Sequence, residues 1–174
     1  MPIYEFAGKA PTIAKTAFIH PEAVVIGEVT IGTRCHIAAG AVIRGDCGPI
    51  VIGPSTSIQD NATVHVNHGE RVNVARNVIV GHNAVLHDVT IGERCVIGMG
   101  SILLPGVVCE REAIVAAGAV VSQGLHIPAR KIVAGNPAKI IKDITPAMEA
   151  YVTEGIEQYN RFTDLYRRTM KRLE

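Results

Sequence analysis

The sequence predicts an all-β solenoid closed by a C-terminal α-helix. Three observations carry that prediction. An aliphatic residue recurs every six positions, small residues sit beside many of those aliphatics, and the terminal stretch carries apolar residues three and four apart. A step of six matches neither the 3.6-residue period of a helix nor the alternation of an ordinary strand. It matches a short strand followed by a tight corner. Three such units close a triangular coil of about 18 residues, and stacked coils pair their strands in parallel at about 4.8 Å.

The first run begins at Ile19 and passes through Val25, Ile31, Ile37 and Ile43. The second holds Ile52, Ile58 and Val64; the third holds Ile79, Val85, Ile91, Ile97, Leu103, Cys109, Val115, Val121 and Ile127. The phase is open to a shift of one residue where Ile26-Gly27 and Val80-Gly81 also resemble repeat starts. The step between Ile43 and Ile52 is nine and that between Val64 and Ile79 is fifteen, each a whole number of hexads plus three. Small loops are therefore expected at residues 46–49 and 67–70, on the working edge of the coil. Residues 1–128 read as the solenoid with a short N-terminal lead-in, and 129–144, with Gly135, Asn136, Pro137 and Ala138, as a turn-rich connector. Residues 145–174 read as the helix, with Thr145 as N-cap and Pro146 at the first helical position. Its stripe of Val152, Ile156, Tyr159, Phe162, Tyr166, Met170 and Leu173 is expected to lie on the solenoid or on a neighbouring subunit.

Composition suits one well-packed domain: 174 residues, 48% hydrophobic and 19% charged, with only 4% aromatic and no Trp. The core must then be Val, Ile and Ala. Lys and Arg number 17 against 16 Asp and Glu, a balance that offers nothing to nucleic acid or to an anionic membrane. The first residues carry no basic and apolar leader, and no run of about 18 apolar residues is present, so a cytoplasmic protein without a membrane span is expected. Cys35, Cys47, Cys95 and Cys109 form no CxxC pair, and three of them fall where the repeat takes a small apolar residue. Reduced, buried thiols follow from that placement.

Three histidines interrupt the repeat: His65, His82 and His87. Neutral imidazole is a common zinc ligand, and three protein ligands with an open position make a catalytic site. From His65 to His87 is 22 residues; removing the three-residue loop leaves about one coil, so the two belong on adjacent coils near one edge. His82 lies five residues before His87, about one hexad earlier, and so near a different corner. One chain then offers His65 and His87 to a metal, and a threefold trimer supplies His82 from its neighbour. His20, His36 and His126 read as polar surface residues, and His68 as a solvent-exposed loop residue. Arg44, Asp46, Gln59 and Asp60 are further polar interruptions, and charges this close to a packed core tend to be paired. They suit a salt bridge between chains, such as Arg44 with Asp60, or a shell that orients metal-bound water and substrate. The two readings are compatible.

The ordered set Val42-Ile43-Arg44-Gly45-Asp46, Ile58-Gln59-Asp60-Asn61, His65, Gly81-His82 and His87 resembles the gamma-class carbonic anhydrase superfamily, and the resemblance runs over nearly the whole chain. It implies a left-handed parallel β-helix, an exception to the right-handed crossover rule, assembled as a homotrimer with metal sites between subunits. It also implies that His65, His82 and His87 hold Zn2+, with Fe2+ or Co2+ as alternatives, His82 coming from the adjacent chain. Arg44 then bridges to Asp60 across the interface, Asp46 and Gln59 flank the metal-bound solvent, and Tyr159 or its rival Tyr166 reaches the site. The implied reaction is reversible hydration of carbon dioxide to bicarbonate by hydroxide that zinc generates near pH 7, with proton export by a nearby group. Two departures bear on that reaction. Cys47 stands where the most active members carry a glutamate, and is read as packing beside the site rather than entering it. The segment between His65 and His82 is short, with Glu70 its only acid, so the proton-exporting loop is missing. An acyl-CoA thioesterase or hexapeptide acyltransferase, and a non-catalytic metal-stabilised assembly protein, are the alternative readings.

Overall fold

The computed structural model describes residues 2–173, and the chain is a left-handed parallel β-helix of about seven coils with one C-terminal helix. Each coil gives one short strand to each of three faces. One face stacks Phe18–Ile19, His36–Ile37, Ser57–Ile58, Ile79–Val80, Val96–Ile97, Ile114–Val115 and Lys131–Gly135. The other two faces share a sheet in which the long strands Val24–Ile31 and Val42–Ile52 each turn a corner without breaking. All pairings along the coils are parallel, and their registers place like positions above one another, as in Ile79↔Ser57 and Ile79↔Val96.

The axis of the prism is filled by the repeat. Val25, Ile31, Ile37, Ile43, Ile52, Ile58, Val64, Ile91, Ile97, Leu103, Cys109, Val115, Val121 and Ile127 are all buried. Two positions of the expected series, Ile79 and Val85, are only half-buried, and Val80 and Leu86 take their place in the core. The reason is a pair of compensating irregularities. Val74 stacks on Ile52 and Ile91, so the loop at 67–70 lengthens its unit to ten residues, and the step from Leu86 to Ile91 shrinks to five. Ile79 stays aliphatic for another reason: its Cδ1 would lie 3.2 Å from a Cβ placed at Gly155 of the terminal helix. It packs outward, beneath the helix.

Three of the four cysteines, Cys35, Cys95 and Cys109, are buried free thiols, and burial raises Cys35 to about 11 and Cys95 to about 12. Residues 129–144, expected as a turn-rich connector, form a β-hairpin instead. Lys131–Gly135 continues the ladder on Ile114–Val115, and Ala138–Asp143 folds back antiparallel on it. The helix Pro146–Thr169 is capped by the Thr145 side chain, which accepts from the Met148 backbone N–H. Val152, Ile156 and Thr163 are its buried residues, whereas Tyr166, Met170 and Leu173 of the expected stripe are exposed. No helix among the described residues is long and apolar enough to cross a membrane.

His36, expected on the surface, is only 6% exposed. It sits under the helix with its ring centroid 5.1 Å from Phe18 and 5.2 Å from Tyr166, and its Nδ1 has no hydrogen-bond partner among the described residues. The helix covers this face, which the local sequence around His36 does not reveal. Burial lowers His36 from 6.5 to about 4, against a smaller opposing pull from Asp60. Between those two pH values the unfolded chain binds a proton that the folded chain refuses. Stability should therefore fall by about 3 kcal/mol as pH drops from about 6.5 to about 4, and gain no further loss from this group below that. Denaturant unfolding of the parent and of His36→Phe across this window checks it: the variant should lose most of the slope, and equal slopes would refute the assignment.

Candidate metal centre

Two clusters of polar side chains stand at two different corners of the prism. In the first, Arg44, His65 and His87 occupy the same position on three successive coils, in direct register. His65 Nδ1 and His87 Nε2 face each other at 2.9 Å, with the rings edge to face. The other nitrogen of His65, Nε2, lies 3.2 Å from Asp46 Oδ1, and Arg44 Nη1 donates to Asp46 Oδ2 at 2.5 Å. The loop at 46–49 also brings Cys47 here: one donor atom each from Asp46, Cys47 and His65 lie within 4.8 Å of one another. Cys47 is half-buried, unlike the three core cysteines.

The sequence reading passed over one member of this cluster, Asp88. Its carboxylate is 6% exposed as a residue, lies 3.0 Å from His87 Nδ1, and accepts from the backbone N–H and side-chain amide of Asn67, both at 2.7 Å. Asp88 sits at φ +52° in the shortened five-residue step. An acid directly after His87, at a place where the corrected repeat loses a residue, was the signal available.

The second cluster surrounds His82, in the turn before Val85–His87. His82 Nδ1 lies 2.8 Å from Asp60 Oδ2, and the buried Gln59 side chain accepts from the His82 backbone N–H through Oε1 at 3.1 Å. These residues line a cavity of about 310 Å³ whose other wall includes Phe18, Tyr159 and Tyr166, so both tyrosines border it. The chain thus gathers Arg44, Asp46, His65 and His87 at one corner, and Gln59, Asp60, His82 and Tyr159 at another. Within one chain the carboxylate beside Arg44 is Asp46, and Asp60 belongs to His82. His68 is exposed and His126 pairs with Glu110 on the far side of the coil.

The electrostatics suit cation binding. Burial alone would raise the Asp46 carboxyl, but the hydrogen bond and charge of Arg44 hold it below the ordinary range. Burial, and then the charge of Arg44, lower His65, which favours its neutral, ligating form. Burial, followed by the charge of Asp60, pushes the Tyr159 phenol up. Each of the three histidines rests one ring nitrogen against a carboxylate, Asp46, Asp60 or Asp88, and the remaining nitrogens of His65 and His87 face each other. That carboxylate–imidazole arrangement fixes the orientation and basicity of metal-ligating histidines. Two imidazoles on tetrahedral zinc at 2.0–2.1 Å have their nitrogens about 3.3 Å apart, and the 2.9 Å between His65 and His87 needs little change to reach it. The donor set fits zinc, and cobalt or iron would accept the same imidazoles.

Replacing Asp88 by Ala should lower zinc affinity by about 10- to 100-fold while leaving the ligands in place. Competition with a chromophoric chelator measures this. Affinity equal to the parent's would show that Asp88 serves only the 67–70 loop.

Comparison with known proteins agrees with this architecture. The model described as "Bacterial transferase hexapeptide (six repeats)" matches residues 10–45 and 71–104, and "Hexapeptide repeat of succinyl-transferase" matches 88–123. The chain is 40% identical over 164 residues to gamma carbonic anhydrase 1, mitochondrial, of Arabidopsis thaliana, covering 91% of this chain. It is 38% identical over 145 residues to the carnitine operon protein CaiE of a Proteus species, covering 83% of this chain and 74% of that protein. The chain belongs to the gamma-carbonic-anhydrase-like hexapeptide-repeat family. It spans only 60% of the length of the Arabidopsis relative. Among solved structures, a hexapeptide transferase family protein from Anaplasma phagocytophilum superimposes with a TM-score of 0.90 at 34% identity, covering 95% of this chain and 98% of that one. Family members thus carry both carbonic anhydrase and transferase names on one scaffold.

Proposed function

We propose that this family member is a gamma-carbonic-anhydrase-like metalloenzyme that hydrates carbon dioxide reversibly at a zinc site shared between subunits of a homotrimer. The observation that supports it is the division of the polar residues into two half-sites. Neither half has three histidines: His65 and His87 face each other at one corner, and His82 stands against Asp60 at the other. A threefold axis that sets the His82 corner of one chain against the His65 and His87 corner of the next completes the ligand set. Asp60 of one chain then comes within reach of Arg44 of its neighbour.

A metal held by these histidines would supply a Lewis acid that lowers the pKa of bound water to about 7. The chain's own residues do the rest. Asp88, Asp60 and Asp46 hold the three imidazoles in their ligating orientations, and Arg44 keeps Asp46 ionised as a hydrogen-bond acceptor beside the site. Gln59 fixes the His82 backbone and directs its remaining amide to a substrate oxygen. Tyr159 and Tyr166 wall the cavity and limit access of bulk water. Glu70 is exposed and is the only acid of the 67–70 loop, so proton export relies on buffer and turnover is slow. The four free thiols support the reading of a reducing compartment such as the cytoplasm. Stopped-flow hydration by the zinc-, cobalt- and iron-loaded protein tests the reading; activity no higher than that of His82→Ala removes it.

One observation favours a second reaction at the same centre. A cavity of about 310 Å³ with aromatic walls exceeds what carbon dioxide needs and would accept an acyl group. Metal-dependent release of free thiol from short and aromatic acyl-CoAs would support thioester hydrolysis, and silence across the panel would exclude it.

A further inference from the structure

The Asp46, Cys47 and His65 cluster has a chemistry that the three-histidine reading does not use. We propose that Cys47 is a metal donor, so that Asp46, Cys47 and His65 of a single subunit form a mixed carboxylate, thiolate and imidazole site for a soft divalent cation. The inference rests on the reading that His65 binds metal. It goes beyond it by adding a sulfur ligand and by making this part of the centre independent of a neighbouring chain.

The argument begins with placement. Cys35, Cys95 and Cys109 lie on the apolar axis, 0–1% exposed, where no cation reaches them. Cys47 alone leaves the core, because the strand Val42–Ile52 carries extra residues where its pairing with Val24–Ile31 shifts between Gly27 and Val29. That bulge turns residues 46 and 47 to the edge, and three donors of three chemical types come within 4.8 Å of one another. The geometry of His65 matters equally. Its Nδ1 faces His87 and its Nε2 faces Asp46, so the ring borders both donor sets and need not leave one to serve the other. Arg44 already holds Asp46 as a carboxylate.

Binding replaces the proton of the Cys47 thiol by the cation; the sulfur keeps the electron pair and the proton goes to solvent. A thiolate beside imidazole and carboxylate favours zinc, cobalt or cadmium over magnesium and calcium. Cys47, read from the sequence as packing beside the site, takes a direct role in this proposal instead.

Cobalt titration of the full chain tests this, because thiolate ligation produces a near-ultraviolet charge-transfer band that imidazole and carboxylate do not. The band is expected in the parent, retained in His82→Ala, and lost in both Cys47→Ala and Cys47→Ser, with circular dichroism confirming that each variant folds. Cobalt bound with visible ligand-field bands but no charge-transfer band would overturn the sulfur donor and leave the three-histidine site standing. A band that survives in Cys47→Ala would also overturn it. Failure to bind cobalt at all would overturn both. As a second readout, zinc should protect Cys47 from a thiol reagent; equal labelling rates with and without zinc would count against ligation.

Discussion

His87→Ala is expected to lower zinc affinity at the three-histidine site by more than about 100-fold, the loss set by removing a ligand rather than one of its supports. His87 faces His65 across 2.9 Å on adjacent coils, and among the described residues no other imidazole stands in register to replace it. The fold should survive, since the side chain lies outside the axial core and its neighbour Leu86 fills the interior. Asp88 would keep its two hydrogen bonds from Asn67, so the loop at 67–70 should also hold. The expected outcome is a folded protein with background activity that has lost the three-histidine site and keeps any metal held by Asp46, Cys47 and His65. Calorimetric titration with zinc checks the affinity. An unchanged affinity would mean that zinc sits elsewhere, with the Asp46, Cys47 and His65 cluster the first place to look.

Leu86→Ala acts on the scaffold instead, and should cost 2–5 kcal/mol. Leu86 is fully buried and stacks between Val64 below and Leu103 above. Parallel coils cannot close over a missing side chain, because the backbone hydrogen bonds fix their separation, so the cavity persists. In a solenoid each coil is stabilised mainly by its neighbours, and a weakened rung divides the stack at that height. His65 and His87 flank this rung, so metal binding should weaken along with stability. Val85→Ala, one residue away but only half-buried, should cost markedly less. Denaturant unfolding of the two variants compares them. Equal losses would contradict the corrected phase of the repeat.

That phase shows how far the sequence could be read. The hexad placed most of the axial residues correctly because burial along the prism axis imposes a strict period, and a strict period survives in composition. It failed at Ile79 and Val85 because two irregularities, one lengthening and one shortening, compensate before Ile91. The local pattern stays aliphatic at both candidate phases, since Ile79 must pack under the helix at Gly155. His36 was misplaced for a related reason: the helix that buries it lies more than a hundred residues away in the chain. Its partners Phe18 and Tyr166 are set by tertiary packing, which no local window contains. The candidate site was legible as a list of residue types and as a division between corners. The hydrogen bonds were not. Asp60 against His82, Gln59 against the His82 backbone and Asp88 against His87 depend on side-chain rotamers at the turns. Spacing carries no information about those.

The central claim is that one chain holds half a metal site at each of two corners. Mixed trimers test it most directly. His82→Ala and His87→Ala chains, each unable to build the three-histidine site alone, are refolded together and the mixed trimers are separated by charge tags. In each mixed trimer one interface joins an intact His82 to an intact His65 and His87 pair. The account predicts that tight zinc binding and hydration activity return at about one site per mixed trimer, while both parent variants remain inactive. Mixed trimers that bind no more tightly than the parent variants, under conditions where the unmutated trimer binds fully, would contradict it.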